Sequence, residues 1–276
     1  MKLSPWTVNG SGVTLTVERG GDPDLAAHRP LLLIHGSTTD ASLWDDTRDA
    51  LGQGRPLYLV NRRGRAGSGD APGYDVAREG ADLAAVLEAI SSHHQDARVD
   101  VVAHSYGALC LLIALAEGKA PVERTVIYEP PLLPLALLPA PSFTAAMEDE
   151  LRAGRPEEVV EGFFRAVEGL NDRQLAKLRS MPAWSMRVAA ASTIPRELES
   201  VRHYRMPPGL EAWTRPVLFL VGGLSPPVMR RASAEVAARF PRTTTEVLPG
   251  QRHGAMTSAP ALFVDAVLAF LSSPGD

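Results

Sequence analysis

Short apolar runs alternate along this chain with longer stretches in which apolar residues recur every three or four positions. The short apolar runs, most of them rich in Val, Leu and Ile, lie at 31–34, 57–60, 99–103 and 217–221, and further strands are predicted at 122–128 and 244–248. Runs of this length and composition are typical of strands buried on both faces of a parallel sheet. The stretches between them, of which 75–93 is the clearest, have the spacing of helices. The pattern predicts an α/β fold with a mostly parallel, doubly wound sheet.

Two features near the amino terminus extend this pattern. Residues 13–18 alternate between apolar and polar side chains, which predicts a strand at the edge of the sheet. Asp40 or Ser42 is placed to cap a helix that extends to about Leu51, since a short polar side chain can accept a hydrogen bond from a free amide of the first turn. We therefore expect the sheet to begin near residue 13.

The alternation of strands and helices stops between residues 132 and 212. Prolines interrupt the apolar run at the start of this stretch, and the spacing that follows predicts helices at 147–151, 159–170, 174–178 and 184–191. We therefore predict one α/β core, formed by residues 1–131 and 213–276, with residues 132–212 inserted as a helical cap. An independent helical domain is less favoured, because both ends of the insertion return to the same sheet. The cap would follow the carboxyl end of a strand, where ligands of open parallel sheets bind.

The composition narrows the classes of function. With 45% hydrophobic and 22% charged residues among 276, the chain is typical of soluble globular proteins. Its net charge of −4 gives no reason to expect a nucleic-acid partner. Cys110 is the one cysteine, which excludes a disulfide within the chain and a cysteine-rich metal site.

Neither a signal peptide nor a membrane span is predicted. The first residues lack the apolar core of a signal peptide. No apolar run approaches the roughly 18 residues that a membrane helix needs. We expect a cytoplasmic protein that acts on a small-molecule substrate and has no membrane partner. The oligomeric state, with a homodimer as one outcome, is left open.

The stretch 103–107, Ala-His-Ser-Tyr-Gly, lies between a predicted buried strand and an apolar run that predicts a buried helix. A chain that passes from strand to helix in so few residues must turn sharply, and small residues at Ala103 and Gly107 let the backbones pass. Ser105 would then stand at the tip of a strained turn with the helix amino terminus behind it, as in a nucleophile elbow. The same five-residue pattern also occurs when a serine lies in an ordinary strand–helix turn without a catalytic role. The choice between the two interpretations depends on the other residues of the chain.

A serine nucleophile needs a base and a carboxylate that orients the base. Among the seven histidines, His253 lies in a loop just after the last predicted strand. That position puts it at the same edge of the sheet as Ser105 and late in the chain. We therefore predict His253 as the base.

The reaction also needs donors for the oxyanion. His35 and Gly36 follow another buried strand, where the glycine lets the chain turn. The backbone amides of Ser37 and Tyr106 are the predicted pair of donors. His35 is favoured as a structural hydrogen-bonding group, with substrate contact as the alternative, and the hydroxyl of Thr38 is a further candidate for the substrate site.

Taken together, these motifs resemble the α/β-hydrolase superfamily with a helical cap, over most of the chain outside 132–212. The resemblance rests on the elbow and its order with the histidine, and on the strings His35-Gly36, His253-Gly254 and Asn61-x-Arg63-Gly64-x-Ala66-x-Ser68. In the last string, Asn61 and Ala66 depart from the family pattern. The resemblance implies that the arginines at 62, 63 and 65 brace the backbone, with binding of an anionic substrate group as the alternative.

The acid is the main departure from the family pattern. Members usually carry it after the strand that follows the cap, but here 222–230 contains no carboxylate. Glu129 ends the strand before the cap, where some members place their acid, and Pro130-Pro131 would fix its direction. We therefore predict Glu129 as the triad acid. The alternatives are that Ser225 orients His253, which would leave the imidazolium charge without compensation, or that Glu129 only anchors the cap.

These residues predict a serine hydrolase that cleaves an ester, thioester or lactone of a small apolar molecule through an acyl-enzyme. The sequence contains no metal-ligand cluster and no phosphate-binding loop, so no metal or organic cofactor is predicted. Trp184 and His203, in the cap, are candidate substrate contacts. A non-hydrolytic enzyme of the same fold, catalysing acyl transfer, C–C cleavage, a lyase reaction or a cyclisation, is the first alternative. A ligand-binding module is less favoured, because Ser105 and His253 both stand at their expected places.

Overall fold

The computed structural model describes residues 1–22 and 28–273, which contain one sheet of eight strands. In chain order the strands are β1 (Ser4–Asn9), β2 (Thr14–Gly21), β3 (Leu31–Ile34), β4 (Pro56–Val60), β5 (Val99–His104), β6 (Val122–Tyr128), β7 (Val217–Gly222) and β8 (Thr243–Leu248). Across the sheet they stand in the order β1-β2-β4-β3-β5-β6-β7-β8. Neighbours from β4 to β8 are parallel, whereas β2 is antiparallel to β1 and to β4. The predicted α/β fold with a mostly parallel sheet is confirmed.

Strand β2 is an interior strand, so the prediction of a sheet edge at residues 13–18 is wrong. It pairs with β4 on one side and with β1 on the other. The sequence pattern does not reveal β1, because Val8 is the one buried residue among its six. An edge strand with so little buried surface lacks the alternation on which strand prediction depends.

Helices cover both faces of the sheet. They are α1 (Arg48–Leu51), α2 (Val76–His93), α3 (Tyr106–Ala116), α4 (Pro141–Arg152), α5 (Pro156–Ala166), α6 (Asp172–Arg179), α7 (Trp184–Ala189), α8 (Ile194–His203), α9 (Pro227–Ala237), α10 (Ala255–Ser258) and α11 (Pro260–Ser272). Helices α2, α3 and α9 pack on one face with Leu32 and Ile34, and α1 and α11 pack on the other face with Leu31 and Leu33. The helix predicted over 75–93 is confirmed as α2. In the described part of the chain, no helix is both long and apolar enough to cross a bilayer.

The single helix predicted from about residue 40 to Leu51 is broken in two. Asp40 caps a 3₁₀ segment, Ala41–Trp44, by accepting a hydrogen bond from the Ser42 amide at 2.8 Å. The amide and the hydroxyl of Thr47 both donate to the Trp44 carbonyl, at 2.9 and 3.2 Å. A side chain that takes a backbone acceptor in this way competes with helix continuation, and α1 begins only after Thr47.

Residues 132–212, all of them described, form helices and no strand. Helices α4 to α8 enclose an apolar cluster of their own, whose buried members are Met147, Val159, Val160, Phe163, Phe164, Leu175, Ala191, Ile194 and Leu198. The sequence pattern does not predict α8, and it misses the first half of α4, residues 141–146. The division into core and cap, whose predicted limits also include residues 23–27 and 274–276 outside the described ranges, stays a prediction. We call residues 132–212 the helical segment.

A buried network of charged side chains joins the helical segment to the sheet. Arg62, in the loop after β4, donates to Glu79 on α2 (Nε–Oε2 2.7 Å) and to Glu197 on α8. Arg65 also donates to Glu197, at 2.6 Å. None of these four side chains is more than 3% exposed. At this network, the helical segment and the sheet are therefore joined by charged side chains that are shielded from solvent.

Each arginine of the loop after β4 has a carboxylate partner. Arg63 Nε donates to Asp82 Oδ2 at 2.7 Å. Burial alone would raise the pKa of Glu79, but the charge of Arg62 holds that pKa well below its ordinary value. The three arginines are thus occupied in bracing the fold, which is the structural alternative that the resemblance implies.

Candidate active site

Ser105 occupies a sharp turn between β5 and α3. Its backbone has φ 53° and ψ −125°, and α3 begins at the next residue, Tyr106. A non-glycine residue in this region is strained, and such strain is characteristic of a nucleophile elbow. The turn requires the glycine at Gly107, because a Cβ there would lie 2.3 Å from the carbonyl oxygen of His35. Ala103, fully buried in β5, fits where the family pattern has glycine.

Glu129 lies directly after β6, the strand beside the elbow. The Ser105 amide donates to the carbonyl of Tyr128 at 3.0 Å, so the acid follows a residue that is bonded to the elbow. The Glu129 side chain is fully buried. Its Oε1 accepts from the Gly222 amide at 2.8 Å, and its Oε2 accepts from His253 Nδ1 at 2.7 Å. The structure therefore joins Glu129 to His253 and places Ser105, Glu129 and His253 after the carboxyl ends of β5, β6 and β8, at one edge of the sheet.

The carboxyl group of Glu129 is held in its charged form. Burial alone would raise its pKa, but the hydrogen bond and the charge of His253 lower it below the ordinary value. The Ser225 hydroxyl and the Gly222 amide act in the same direction. Ser225 is buried beside this carboxylate. Of the two groups considered for orienting His253, Glu129 makes the contact with the imidazole.

His253 lies in the loop between β8 and α10. Burial alone would lower its pKa, but the hydrogen bond to Glu129 and the charges of Glu168 and Glu129 raise it above the ordinary value. Because Nδ1 donates to Glu129, a neutral ring carries its available lone pair on Nε2, the nitrogen that faces away from the acid. That tautomer is the one a general base requires.

His104 is a contact of the site that the sequence pattern does not single out. Its ring packs against the ring of His253 with 4.5 Å between centroids. Its Nε2 donates to the backbone carbonyl of His253 at 2.8 Å. Burial, with the charges of His253 and Arg187, lowers the pKa of His104 well below its ordinary value. A neutral His104 thus fixes the loop that carries His253.

The loop after β3 passes next to the elbow. A Cβ placed on Gly36 would lie 2.9 Å from the Cβ of Ser105. Ser37, the next residue, and Tyr106, at the start of α3, are the two residues whose amides are the predicted oxyanion donors. Thr38 follows with φ 57°, which is strained for a β-branched residue, and its Oγ1 accepts from Arg187 Nη1 at 2.9 Å. Arg187, on α7, has no counterpart in the sequence motifs.

Both ring nitrogens of His35 form hydrogen bonds to the backbone. Its Nδ1 donates to the Gly36 carbonyl at 2.9 Å, and its Nε2 accepts from the Arg62 amide at 3.1 Å. Burial and the charge of Arg62 lower the pKa of His35 well below its ordinary value. The ring is therefore neutral and fully occupied, as expected for a group that holds two loops together.

Trp184 and His203, the two candidate contacts in the cap, lie in other surroundings. Trp184 packs against the apolar cluster of the helical segment, with the guanidinium of Arg179 5.8 Å from its ring centre. His203 is exposed and lines a cavity of about 850 Å³ with residues of α2, α4 and α8. Neither Ser105 nor His253 lines that cavity. In the described structure, neither side chain forms a hydrogen bond or a ring contact with Ser105, Glu129 or His253. A substrate role for Trp184 and His203 therefore stays a prediction.

Residues 1–22 and 28–273 contain no group of three or more His, Cys, Asp or Glu side chains arranged to hold a metal ion. The ionisable groups of the site instead pair with one another, Glu129 with His253. Chemically, the Glu129–His253 pair can hold a positive charge on the imidazole and leave Nε2 as a proton acceptor.

The fold and the elbow define a class of protein, and the sequence comparison agrees. Residues 31–266 match the model of the alpha/beta hydrolase family. This span is most of the chain, so the protein belongs to the alpha/beta hydrolase family.

Individual relatives share much of the length of this chain. Over 255 residues it is 24% identical to the pimeloyl-(acyl-carrier protein) methyl ester esterase of Cronobacter sakazakii, a match that covers 87% of this chain and 91% of that protein. An alpha/beta hydrolase from Sphaerobacter thermophilus has a TM-score of 0.80 at 26% identity, covering 97% of this chain and 100% of that chain. An esterase from a Rhodococcus species has a TM-score of 0.74 at 23% identity over 100% of both chains, which shows the shared fold. These relatives support a hydrolase in general.

Proposed function

We propose that the protein is a serine hydrolase that cleaves an ester, thioester or lactone of a small molecule through an acyl-enzyme. The observation that carries this proposal is the 2.7 Å contact between Glu129 and His253 at the sheet edge where Ser105 occupies its strained turn. A hydroxyl at a strained turn, a buried carboxylate and an imidazole, in this order along the chain, are the parts of a serine triad. Family membership and the esterase relatives support the same chemistry.

In the proposed reaction, Ser105 Oγ attacks the substrate carbonyl carbon while His253 Nε2 takes its proton. The amides of Ser37 and Tyr106 donate to the oxyanion that forms. His253 then gives the proton to the departing oxygen or sulfur, and the acyl group stays on Ser105. A water molecule, deprotonated by His253, attacks the acyl carbon; the bond to Ser105 Oγ breaks, His253 returns the proton to that oxygen, and the acid is released. Glu129 holds the imidazole in the required tautomer and stabilises its charge in both steps.

Covalent labelling tests the nucleophile. A fluorophosphonate should add one phosphonyl group to the wild-type protein, because an activated Ser105 attacks phosphorus as it attacks a carbonyl carbon. Intact mass followed against time gives the rate, and peptide mapping gives the site. Ser105→Ala should not be labelled, whereas Ser92→Ala, an exposed serine of α2, should be labelled as fast as wild type. Labelling at another residue, or none, would rule out the proposed nucleophile.

The pH dependence of kcat/KM tests the base. His253 must be neutral to accept the proton of Ser105, so activity is lost as the pH falls through its pKa. Because that pKa is raised in the folded protein, the acid limb should have its midpoint above 6.5. The Glu168→Gln substitution removes one of the charges responsible and should move the midpoint toward lower pH. A midpoint at or below 6.5 in the wild type would contradict the assignment of His253.

A further inference from the structure

The guanidinium of Arg187 lies beside the loop after β3 and has no carboxylate partner among the described residues. Arg187 extends from α7 and donates through Nη1 to Thr38 Oγ1 at 2.9 Å. Its guanidinium carbon lies 5.0 Å from the ring centre of Phe164. The Nε atom is buried and has no hydrogen-bond partner in the described part of the chain, and Nη2 bonds to no described residue either.

Half-buried Arg187 differs in this respect from the three buried arginines of the loop after β4. Arg62, Arg63 and Arg65 each donate to a carboxylate within hydrogen-bond distance. Among residues 1–22 and 28–273, no carboxylate lies within 4 Å of the Arg187 guanidinium. Burial lowers the pKa of Arg187, and only the more distant charge of exposed Glu168 opposes that effect. Removing a cation partly from water costs free energy, and this cost is not offset unless an anion pairs with the cation.

Arg187 is linked to the elbow through the loop after β3. Thr38, its partner, is two residues beyond Gly36, a span of at most about 7 Å. Gly36 in turn contacts Ser105, since a Cβ on it would lie 2.9 Å from the serine Cβ. Arg187 is also close enough to His104 to lower the pKa of that ring. The loop after β3 therefore contacts Ser105 at Gly36 and Arg187 at Thr38, on the same side of the elbow as His104.

We propose that Arg187 binds a carboxylate carried by the acyl part of the substrate, a few bonds from the carbonyl that Ser105 attacks. The fork that pairs with two carboxylate oxygens is the outer edge of the guanidinium, formed by Nη2 and the N–H of Nη1 that Thr38 does not hold, since Nε is enclosed by protein atoms. The substrate class is the monoester or monothioester of a short dicarboxylic acid, or a lactone with a pendant carboxylate. This inference rests on the proposed hydrolase function and adds the substrate class.

The closing experiment compares a charged and a neutral ester of one chain length. The substrates are the monomethyl and dimethyl esters of succinic, glutaric and adipic acids, and the readout is the ratio of kcat/KM values, monoanion over diester. At the best chain length, Arg187→Gln should lower this ratio about 10- to 100-fold relative to wild type. Arg187→Lys keeps the positive charge but not the planar fork, so its ratio should lie between those of wild type and Arg187→Gln. Arg165→Gln, which removes an exposed arginine of α5 paired with Asp172, should leave the ratio at the wild-type value.

A binding measurement separates this inference from the proposed reaction. Calorimetric titration with the corresponding dicarboxylates should give a Kd at least about 10-fold weaker for Arg187→Gln than for wild type and Arg165→Gln. If fluorophosphonate labels Ser105 but the ester ratio and the Kd are the same in Arg187→Gln and wild type, the carboxylate site is wrong and the hydrolase proposal stands. If Ser105 is not labelled but the Kd difference is found, the hydrolase proposal fails and the carboxylate site stands. Should Arg187→Gln not fold, Arg187→Lys decides by the same comparisons.

Discussion

Replacing Glu129 by Gln is expected to lower kcat about 10⁴-fold for any substrate that the protein hydrolyses. The two oxygens of Glu129 accept from two donors, the Gly222 amide and His253 Nδ1. A glutamine offers one oxygen and one NH₂ group to these two N–H donors, so one of them must face another donor. With the NH₂ group toward the imidazole, His253 takes the tautomer whose proton is on Nε2, and it cannot accept the proton of Ser105. The charge that would stabilise the imidazolium is lost as well.

The measurement is kcat, with the rate of fluorophosphonate labelling as a second readout. Glu123→Gln is the matched control, because it removes a partly exposed carboxylate from the same strand, β6, far from the imidazole. Its kcat should remain within about twofold of wild type, as expected for a surface ion pair. Circular dichroism of both variants should match wild type. A decrease of less than about 10-fold in folded Glu129→Gln would mean that another group orients His253.

Replacing Glu197 by Gln is expected to destabilise the protein by about 3–5 kcal/mol. Glu197 is the shared acceptor of Arg62 and Arg65, and all three side chains are buried. The substitution leaves Arg65 with no carboxylate partner among the described residues and Arg62 with Glu79 alone. A buried charge that has lost its partner retains its full cost of removal from water. The expected decrease in melting temperature is about 10 °C for a chain of this size.

Urea unfolding followed by circular dichroism gives the free energy of unfolding. Glu199→Gln is the control, two residues away on α8, where the carboxylate is exposed and pairs with Arg202 and His203. Exposed pairs contribute little, so this variant should lie within about 0.5 kcal/mol of wild type. If the two variants have equal stability, the network around Glu197 does not hold the helical segment to the sheet.

The sequence predicts the positions of Ser105, Glu129 and His253 because each depends on a local signal. Each follows the end of a predicted strand or lies in the loop just after one, and the carboxyl ends of parallel strands meet at one edge. The strands themselves are recognisable as runs of aliphatic residues. The contact between Glu129 and His253 therefore follows from topology, although 124 positions separate the two residues.

Helix α8 shows why other parts are not predictable. Its inward positions include Ile194, Glu197, Leu198 and Val201, which are spaced as in an amphipathic helix. The glutamate among them breaks the apolar pattern, so the helix escapes prediction. That residue is tolerated inside because of Arg62 and Arg65, which lie more than 130 positions earlier. A pairing of this kind leaves no local signal.

The same limit applies to Arg187. Its significance depends on a contact with Thr38, 149 positions away, and on the acids that are absent around it in the described structure. In the sequence it is one of many arginines on predicted helices. Only the folded structure distinguishes an arginine that has a carboxylate partner from one that does not.

The separation of the network from the triad has a consequence for exchanging parts between relatives. A chimera that replaces residues 132–212 with the corresponding stretch of another family member would keep Ser105, Glu129 and His253 on the recipient. It would also remove Glu197, which leaves the buried guanidinium of Arg65 without a carboxylate partner among the described residues and that of Arg62 with Glu79 alone. A donor stretch is therefore compatible only if it brings a carboxylate to the place of Glu197, or if Arg62 and Arg65 are replaced together with it.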